Sequence, residues 1–131
     1  MTTPGRVVLD ASALLAWIHD EPGTANVDAA LNAGAHLSAV NLAEVLSKLV
    51  ERHQAVEPFL EALAELGVII EPYTQDDALA TGVLRATTRA AGLSLGDRAC
   101  LALGQRLGLR VLTADQAWAA LAAPPTVQLI R

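Results

Sequence analysis

Short runs of apolar residues alternate along this chain with longer segments in which apolar residues recur every three or four positions. The runs predict buried strands, and the longer segments predict amphipathic helices that cover them. In the first such unit, a predicted strand at Val7–Leu9 ends at Asp10, and a helix is expected from Ala13 to about His19. This alternation is typical of an α/β fold with a central parallel sheet of about five strands and helices on both faces.

The remaining elements continue the same alternation to the end of the chain. Further strands are expected at 35–40, 68–72, 109–113 and 127–130, and further helices at 24–33, 41–53, 56–66, 76–90, 94–107 and 118–121. No internal repeat or low-complexity linker interrupts this order. The 131 residues fit a single domain, 1–131, which can bury roughly two thirds of its unfolded surface.

Several polar residues stand where a helix is expected to begin. Asn41 and Glu44 have the spacing of a capping box, so the helix that contains them is expected to begin at Asn41. Asp10 and Ser12 are also residue types that cap helices. For Asp76-Asp77, in the first turn of a predicted helix, we expect only such a structural role. For Asp10 and Glu44 capping leaves a chemical role open, because both roles place the carboxylate at the tip of a helix.

Four acidic residues share one kind of position. Asp10, Glu44, Asp97 and Asp115 are each predicted at the carboxyl end of a strand or at the N-terminal tip of a helix. In an open α/β sheet these positions meet at one edge, where ligands bind. Carboxylates about 4 Å apart repel by roughly 4 kcal/mol per pair at an effective dielectric near 20, so such a cluster needs protons or a cation. Oxygen ligands without His or Cys favour Mg²⁺ or Mn²⁺, which predicts metal-assisted hydrolysis of a phosphodiester.

The composition narrows the class of protein. Hydrophobic residues make up 53% and charged residues 18%, which is typical of a globular domain. The single cysteine, Cys100, excludes an intramolecular disulfide and a cysteine zinc cage, and its apolar neighbours predict a buried thiol. No signal peptide and no apolar run long enough to cross a membrane are found, so a cytoplasmic protein is expected.

The charge pattern bears on nucleic-acid binding. A net charge of −5 argues against a broad electrostatic grip on nucleic acid. Eight of the nine basic residues are arginines, which suit bidentate phosphate contacts. Five of them fall in one quarter of the chain: Arg85, Arg89, Arg98, Arg106 and Arg110. They predict either a local phosphate-binding surface or ordinary surface charges that pair with the acidic residues.

The contexts of the four acids resemble the PIN domain family, and especially the VapC toxins of bacterial toxin–antitoxin pairs. They are VVLDASALLAW, LSAVNLAEVLSKL, LSLGDRACLALG and VLTADQAW, and the similarity covers nearly the whole chain. The resemblance implies a PIN-like three-layer α/β/α fold and a magnesium- or manganese-dependent endoribonuclease. It also implies a homodimer and a small VapB-like antitoxin whose tail fills the active-site groove. A dimer surface is expected on the apolar faces of the helices around 43–66, for which the alternative role is the domain core.

By position, the resemblance makes Asp10, Glu44, Asp97 and Asp115 the catalytic acids and metal ligands. It also makes Ser12 and Thr113 hydroxyls that hydrogen-bond these ligands. Arg98 directly follows Asp97, so we expect it either to contact RNA phosphate or to form an ion pair with a neighbouring carboxylate.

Two other functions remain open at this point. A haloacid-dehalogenase-like phosphatase would use Asp10 as a covalent nucleophile. Such enzymes have a D-x-D motif at this point, and Asp10-Ala11-Ser12 lacks the second Asp. A PIN-like protein that no longer cleaves would serve only to bind RNA or antitoxin. The metal dependence of cleavage, with RNA or with a small phosphomonoester, distinguishes the three functions.

Overall fold

A five-stranded parallel sheet forms the centre of the fold. The computed structural model describes residues 5–121 and 124–131 of the chain. The strands are β1 (Val7–Leu9), β2 (Ala35–Ser38), β3 (Ile69–Glu71), β4 (Val111–Thr113) and β5 (Val127–Leu129). They lie in the order β3-β2-β1-β4-β5, and every neighbouring pair is parallel. The predicted five-stranded parallel sheet is therefore confirmed.

Helices connect the strands as the sequence pattern predicts. Within residues 5–121 and 124–131 they are α1 (Ala11–Ile18), α2 (Thr24–Ala33), α3 (Ala39–Glu51), α4 (Glu57–Glu65), α5 (Gln75–Val83), α6 (Arg85–Thr88) and α7 (Leu95–Leu107), and a short 3-10 helix at Gln116–Ala120. None of the helices in this described part is long and apolar enough to cross a membrane.

Successive residues of the central strand contact the two helical layers in turn. Val7 and Leu9 pack into a buried cluster with apolar side chains of α1 to α4. Val8 and Val111 belong to a second cluster that contains Cys100 and the apolar face of α7. Because side chains alternate between the faces of a strand, the two clusters lie on opposite sides of the sheet. The result is the expected three-layer α/β/α fold, with Cys100 buried as predicted.

The helices around 43–66 contribute most of their apolar face to the first cluster. Val45, Leu49, Phe59 and Leu63 are buried there. Val50 and Leu60 of the same helices remain exposed. The alternative role of this segment, as part of the domain core, therefore accounts for its main apolar face.

The prediction of a single helix at 76–90 is wrong, because the chain forms two helices, α5 and α6, that meet at Leu84. The hydroxyls of Thr87 and Thr88 both donate to the carbonyl of Leu84, at 3.3 and 2.8 Å, and the backbone N–H of Thr87 donates to it as well. Threonine hydroxyls that compete for a carbonyl in this way disturb the regular hydrogen-bond ladder of a helix. Leu84 itself is buried in the second cluster.

The prediction of a capping box at Asn41 and Glu44 is also wrong. Helix α3 begins two residues earlier, at Ala39, and Ser38 is its N-cap, with Oγ accepting from the backbone N–H of Val40 at 3.2 Å. Ser38 ends strand β2 in an extended conformation, so strand and helix follow each other directly. Asn41 is therefore buried within the first turn of α3, and Glu44 lies in the second turn.

Asp77 has the structural role expected of it, since it joins α5 to α7. It forms a capping box with Thr74, and its Oδ1 accepts from Nε of Arg106 at 2.9 Å. Burial opposes ionisation of Asp77, but the backbone N–H of Thr74 and the Arg106 guanidinium outweigh it and lower the pKa of this carboxyl below its usual 3.8. The ionised carboxylate therefore stabilises the fold at neutral pH.

We expect Asp77→Asn to lose about 1–3 kcal/mol of unfolding free energy at pH 7, because the buried carboxylate loses the charge that bonds the Arg106 guanidinium. Since the pKa is lowered in the folded state, the contribution of Asp77 is present above pH 3.8 and is lost as pH falls through the folded-state pKa. The difference from the wild type should therefore shrink in urea unfolding below pH 3.8. Asp76→Asn, at the exposed neighbouring position, is the matched control. Equal stability of the two variants at pH 7 would contradict this account.

Candidate active site

Asp10 is the most buried of the four predicted site acids. It follows strand β1, caps helix α1, and is only 3% exposed. Its carboxylate accepts from the backbone N–H of Ala13 at 2.8 Å, from Oγ of Ser12 at 2.8 Å and from Oγ1 of Thr113 at 2.5 Å. The capping role that the residue type predicts is thus confirmed, and the same carboxylate lies at the carboxyl end of β1.

Backbone donors fix the direction of the two hydroxyls beside Asp10. Oγ of Ser12 accepts from the backbone N–H of Ala114 at 2.9 Å, and Oγ1 of Thr113 accepts from that of Asp115 at 3.0 Å. Each hydroxyl has one proton, which is then free to be donated to the carboxylate. Ser12 and Thr113 therefore lie where the resemblance places them, and together they link β1 to the end of β4.

Burial dominates the electrostatics of Asp10. It raises the pKa of this carboxyl from 3.8 to about 6, although the hydroxyls of Thr113 and Ser12 and the N–H of Ala13 act in the opposite direction. The negative charge of Asp97 raises the pKa further. A nearby cation would relieve both effects, since it favours the ionised carboxylate.

Glu44 approaches the beginning of helix α7. Its Oε1 accepts from Nδ2 of Asn41 at 2.8 Å, and the same Nδ2 donates to the carbonyl of Gly96 at 3.0 Å. A Cβ added at Gly96 would lie only 2.5 Å from Oε1 of Glu44. The carboxylate of α3 can therefore rest against the first turn of α7 only because residue 96 has no side chain.

Asp97 lies in that first turn of α7 and closes a capping box with Ser94. Its Oδ2 accepts from the backbone N–H of Ser94 at 2.9 Å, and its own N–H donates to Oγ of Ser94 at 3.2 Å. The fully buried thiol of Cys100, one turn later, has a pKa raised by burial and by the charges of Asp10, Asp97 and Glu44. The structure thus brings these three acids to one region around the start of α7.

Asp115 is held at the rim of this region. It is exposed, and its Oδ1 caps the 3-10 helix by accepting from the backbone N–H of Ala117 at 2.9 Å. It is connected to Asp10 through its own backbone N–H, which donates to the hydroxyl of Thr113. Its position at the end of β4 is the one that the sequence predicts.

Arg98 faces helix α5. Its Nη1 donates to the carbonyl of Thr81 at 2.9 Å, and its Nε is buried without a partner among the described residues. None of the ion pairs formed within residues 5–121 and 124–131 involves Arg98. The ion pair that was one of two expectations for this side chain is therefore not seen there. Arg106, by contrast, pairs with Asp77 and approaches Glu71 at 3.9 Å.

Asp10, Glu44 and Asp97 share one region without forming a closed cage. Within the described ranges, no three His, Cys, Asp or Glu side chains are placed as a ready metal-binding group. Each carboxylate is instead held by local donors: the hydroxyls at Asp10, the amide at Glu44 and the helix-capping N–H groups at Asp97 and Asp115. This all-oxygen donor set, with a buried carboxylate whose pKa is raised, is the kind that suits Mg²⁺ or Mn²⁺.

Comparison with known proteins identifies the family. The PIN domain family model matches residues 7–124. The chain belongs to the PIN domain family. This confirms the resemblance seen in the contexts of the four acids. No sequence among the curated proteins matches the chain.

Solved structures share the PIN fold over nearly their whole length. A toxin–antitoxin complex from Klebsiella pneumoniae gives a TM-score of 0.76 at 21% identity and covers 95% of this chain and 98% of its own. The VapBC-5 toxin–antitoxin system of Mycobacterium tuberculosis gives a TM-score of 0.61 at 24% identity and covers 98% of this chain and 99% of its own. VapC20 of the same organism, a Sarcin-Ricin loop cleaving toxin, gives a TM-score of 0.63 at 18% identity and covers 91% of this chain and 99% of its own. Identities this low establish the fold.

Two residues of this PIN domain site were not predicted from the sequence: Asn41 and Gly96. The spacing of Asn41 and Glu44 places them on one face of a helix, but the same spacing also fits a capping box. A glycine in the first turn of a predicted helix indicates close approach of another group, but it does not say which group.

We expect Asp10→Asn to stabilise the protein at pH 7.5 in the presence of a chelator. The folded-state pKa of about 6 lies above the ordinary 3.8, so the favourable contribution of the protonated carboxyl is present below pH 3.8 and is lost as pH rises through 6. A shift of the pKa from 3.8 to about 6 corresponds to about 3 kcal/mol of unfolding free energy. Part of this gain is lost in Asp10→Asn, because an amide forms weaker hydrogen bonds with the two hydroxyls than a carboxylate does. A net gain of about 1–3 kcal/mol is expected.

Urea unfolding from pH 4 to pH 7.5 measures this effect, with Asp20→Asn, at an exposed position, as the matched control. The gain of Asp10→Asn over the wild type should grow with pH, whereas the control should show no such trend. A difference that does not depend on pH would show that Asp10 is not destabilised by ionisation.

Proposed function

We propose that this PIN domain is a metal-dependent endoribonuclease toxin that hydrolyses RNA phosphodiester bonds. Asp10, Glu44 and Asp97 would hold Mg²⁺ or Mn²⁺, with Asp115 contributing from the rim. The observation that carries the proposal is the buried Asp10 beside the charge of Asp97, with the pKa of Asp10 raised to about 6. Hydroxyls and one backbone N–H are the donors that contact its carboxylate in the described chain, so its negative charge has no ionic partner there.

A divalent cation bound there would lower the pKa of a water molecule and neutralise charge that develops on the phosphodiester. The residues of the chain prepare that chemistry. Ser12 and Thr113 orient the carboxylate of Asp10 through their hydroxyl protons. Ser94 holds the carboxylate of Asp97 at the N-terminus of α7, at the positive end of the helix dipole.

The toxin role rests on the similar structures. Two of them belong to toxin–antitoxin systems, and a third is a toxin that cleaves the Sarcin-Ricin loop. We infer an RNA substrate, a VapB-like antitoxin that blocks the acidic edge, a homodimer, and action in the cytoplasm, where RNA is accessible. With a net charge of −5, attraction of RNA would depend on the bound cation and on local arginines.

Arg98 remains a proposed phosphate contact, and the structure limits how it could act. One of its terminal nitrogens, Nη1, is already committed to the carbonyl of Thr81. A bidentate contact in which Nη1 takes part would need this link between α7 and α5 to open. If Arg98→Ala leaves RNA affinity and cleavage unchanged, the residue serves only to link the two helices.

We expect purified protein to cleave a mixed, structured RNA pool with Mg²⁺ or Mn²⁺ and to lose cleavage in the presence of a chelator. Loss of a group that supports a metal ligand typically lowers activity about 10–100-fold. Glu44→Gln and Asp97→Asn remove proposed ligands themselves, so they should lower the cleavage rate by more than this. Glu51→Gln changes an exposed carboxylate on the same helix α3 and should cleave like the wild type. Product formation on a denaturing gel is the measurement.

The other possible results distinguish the alternative functions. Metal-dependent hydrolysis of p-nitrophenyl phosphate without RNA cleavage would favour the phosphatase hypothesis. Folded protein that binds RNA or antitoxin but cuts no RNA would favour a silent binding protein. Cleavage that survives both the chelator and Glu44→Gln would contradict the proposed mechanism.

We also expect Gly96→Ala to separate stability from activity. The new Cβ would lie 2.5 Å from Oε1 of Glu44 and would displace this flexible side chain, while the helix backbone can accept alanine. The unfolding free energy should stay within about 1 kcal/mol of the wild type, and Mn²⁺ binding and RNA cleavage should weaken. Gly82→Ala, at a helical glycine with nothing within 4 Å of the added Cβ, is the matched control. Wild-type Mn²⁺ affinity in Gly96→Ala would show that Glu44 does not act from its observed position.

A further inference from the structure

Asn41 is a buried polar side chain between the two helices that carry Glu44 and Asp97. It is 1% exposed and lies in the first turn of α3. Its Nδ2 makes two hydrogen bonds, one to Oε1 of Glu44 at 2.8 Å and one to the carbonyl of Gly96 at 3.0 Å. Since an amide nitrogen has two protons, both are used.

The chemistry of these two partners fixes the orientation of the amide. The Glu44 carboxylate and the Gly96 carbonyl can only accept hydrogen bonds here, so exchanging Nδ2 and Oδ1 of Asn41 would place three acceptors together. The donor side of Asn41 therefore faces Glu44 and α7.

The other end of the same amide has no partner. Oδ1 of Asn41 is buried and accepts no hydrogen bond from the described residues. Such a group costs about 1–3 kcal/mol relative to a paired one. An apolar residue would avoid this cost, but it would lose both bonds that Nδ2 makes to Glu44 and Gly96. What an apolar residue could not do is hold the Glu44 carboxylate in place.

The position of Asn41 suits control of the metal site. Glu44 has a long side chain with several rotamers, and one hydrogen bond from its own helix restricts them. The bond to Gly96 anchors the same amide to α7, next to Asp97. One side chain thus sets the position of the Glu44 carboxylate relative to Asp97.

We propose that Asn41 is a positioning residue of the metal site, which holds the Glu44 carboxylate against the first turn of α7, next to Asp97. This inference rests on the proposed function. It assigns the geometry of the site to a neutral residue that acts through Glu44. Preorganisation of this kind is how groups around a metal ligand raise its affinity.

A double-mutant cycle on Mn²⁺ affinity tests the proposal. The free Mn²⁺ signal in electron paramagnetic resonance gives the Kd of the wild type, Asn41→Ala, Glu44→Ala and the double variant. We expect Asn41→Ala to weaken binding by about 10-fold and to have no further effect once Glu44 is absent, because it acts through Glu44. Asn26→Ala, which also removes an amide bonded to a backbone carbonyl, is the matched control and should bind like the wild type.

A second measurement uses the intact side chain, in case Asn41→Ala does not fold. In side-chain amide NMR, the Nδ2 protons of Asn41 in the wild type should exchange slowly and should shift on Mg²⁺ addition. In Glu44→Ala they should exchange faster and lose the Mg²⁺ response. Protons that exchange alike in both proteins would overturn the proposal.

The results separate two kinds of failure. Unchanged Mn²⁺ affinity in Asn41→Ala, or an equal loss with and without Glu44, overturns the role of Asn41 alone. A wild type that binds Mn²⁺ no better than Asp97→Asn overturns the proposed metal site, and the role of Asn41 with it.

Discussion

The burial of the Asp10 carboxylate is the constraint on which the site depends. A buried negative charge is unfavourable unless donors or a cation compensate it. The chain supplies donors from two strands: Ser12 and Ala13 follow β1, and Thr113 ends β4. These donors favour the ionised form, but burial still keeps the pKa of Asp10 raised to about 6.

The topology of the sheet explains why the acids come from distant parts of the chain. Strand β1 pairs with β2 on one side and with β4 on the other, so the connections that leave these strands diverge at the carboxyl end of β1. Such switch points leave a crevice in open α/β sheets. Asp10 lies directly at this point, α3 brings Glu44 from the β2 side, and α7 brings Asp97. Acids from three separate segments thus meet at this edge of the sheet.

The local part of this arrangement could be predicted from the sequence. The strand before Asp10, the capping residue Ser94 before Asp97 and the strand before Asp115 all follow from patterns within a few residues. The beginning of α3 could not be predicted correctly, because Ser38 and Asn41 are both capping residues and only the end of β2 decides between them. The contact of Asn41 with Gly96 joins residues 55 positions apart and depends on how two helices pack. No local pattern contains that information.

Two features of the site oppose stability in the same way. The raised pKa of Asp10 means that its ionisation destabilises the fold, and Oδ1 of Asn41 is a buried acceptor without a hydrogen-bond partner among the residues that the structure describes. Asp77, in the first turn of α5, shows that the same chain can bury a carboxylate favourably when α7 provides an arginine. Among its described contacts, Asp10 has no comparable cationic partner, and this is a local property of the site. A bound cation would have the role at Asp10 that Arg106 has at Asp77. Binding of that cation would then stabilise the folded state as well as prepare it for catalysis, since a ligand that binds only the folded chain shifts the unfolding equilibrium.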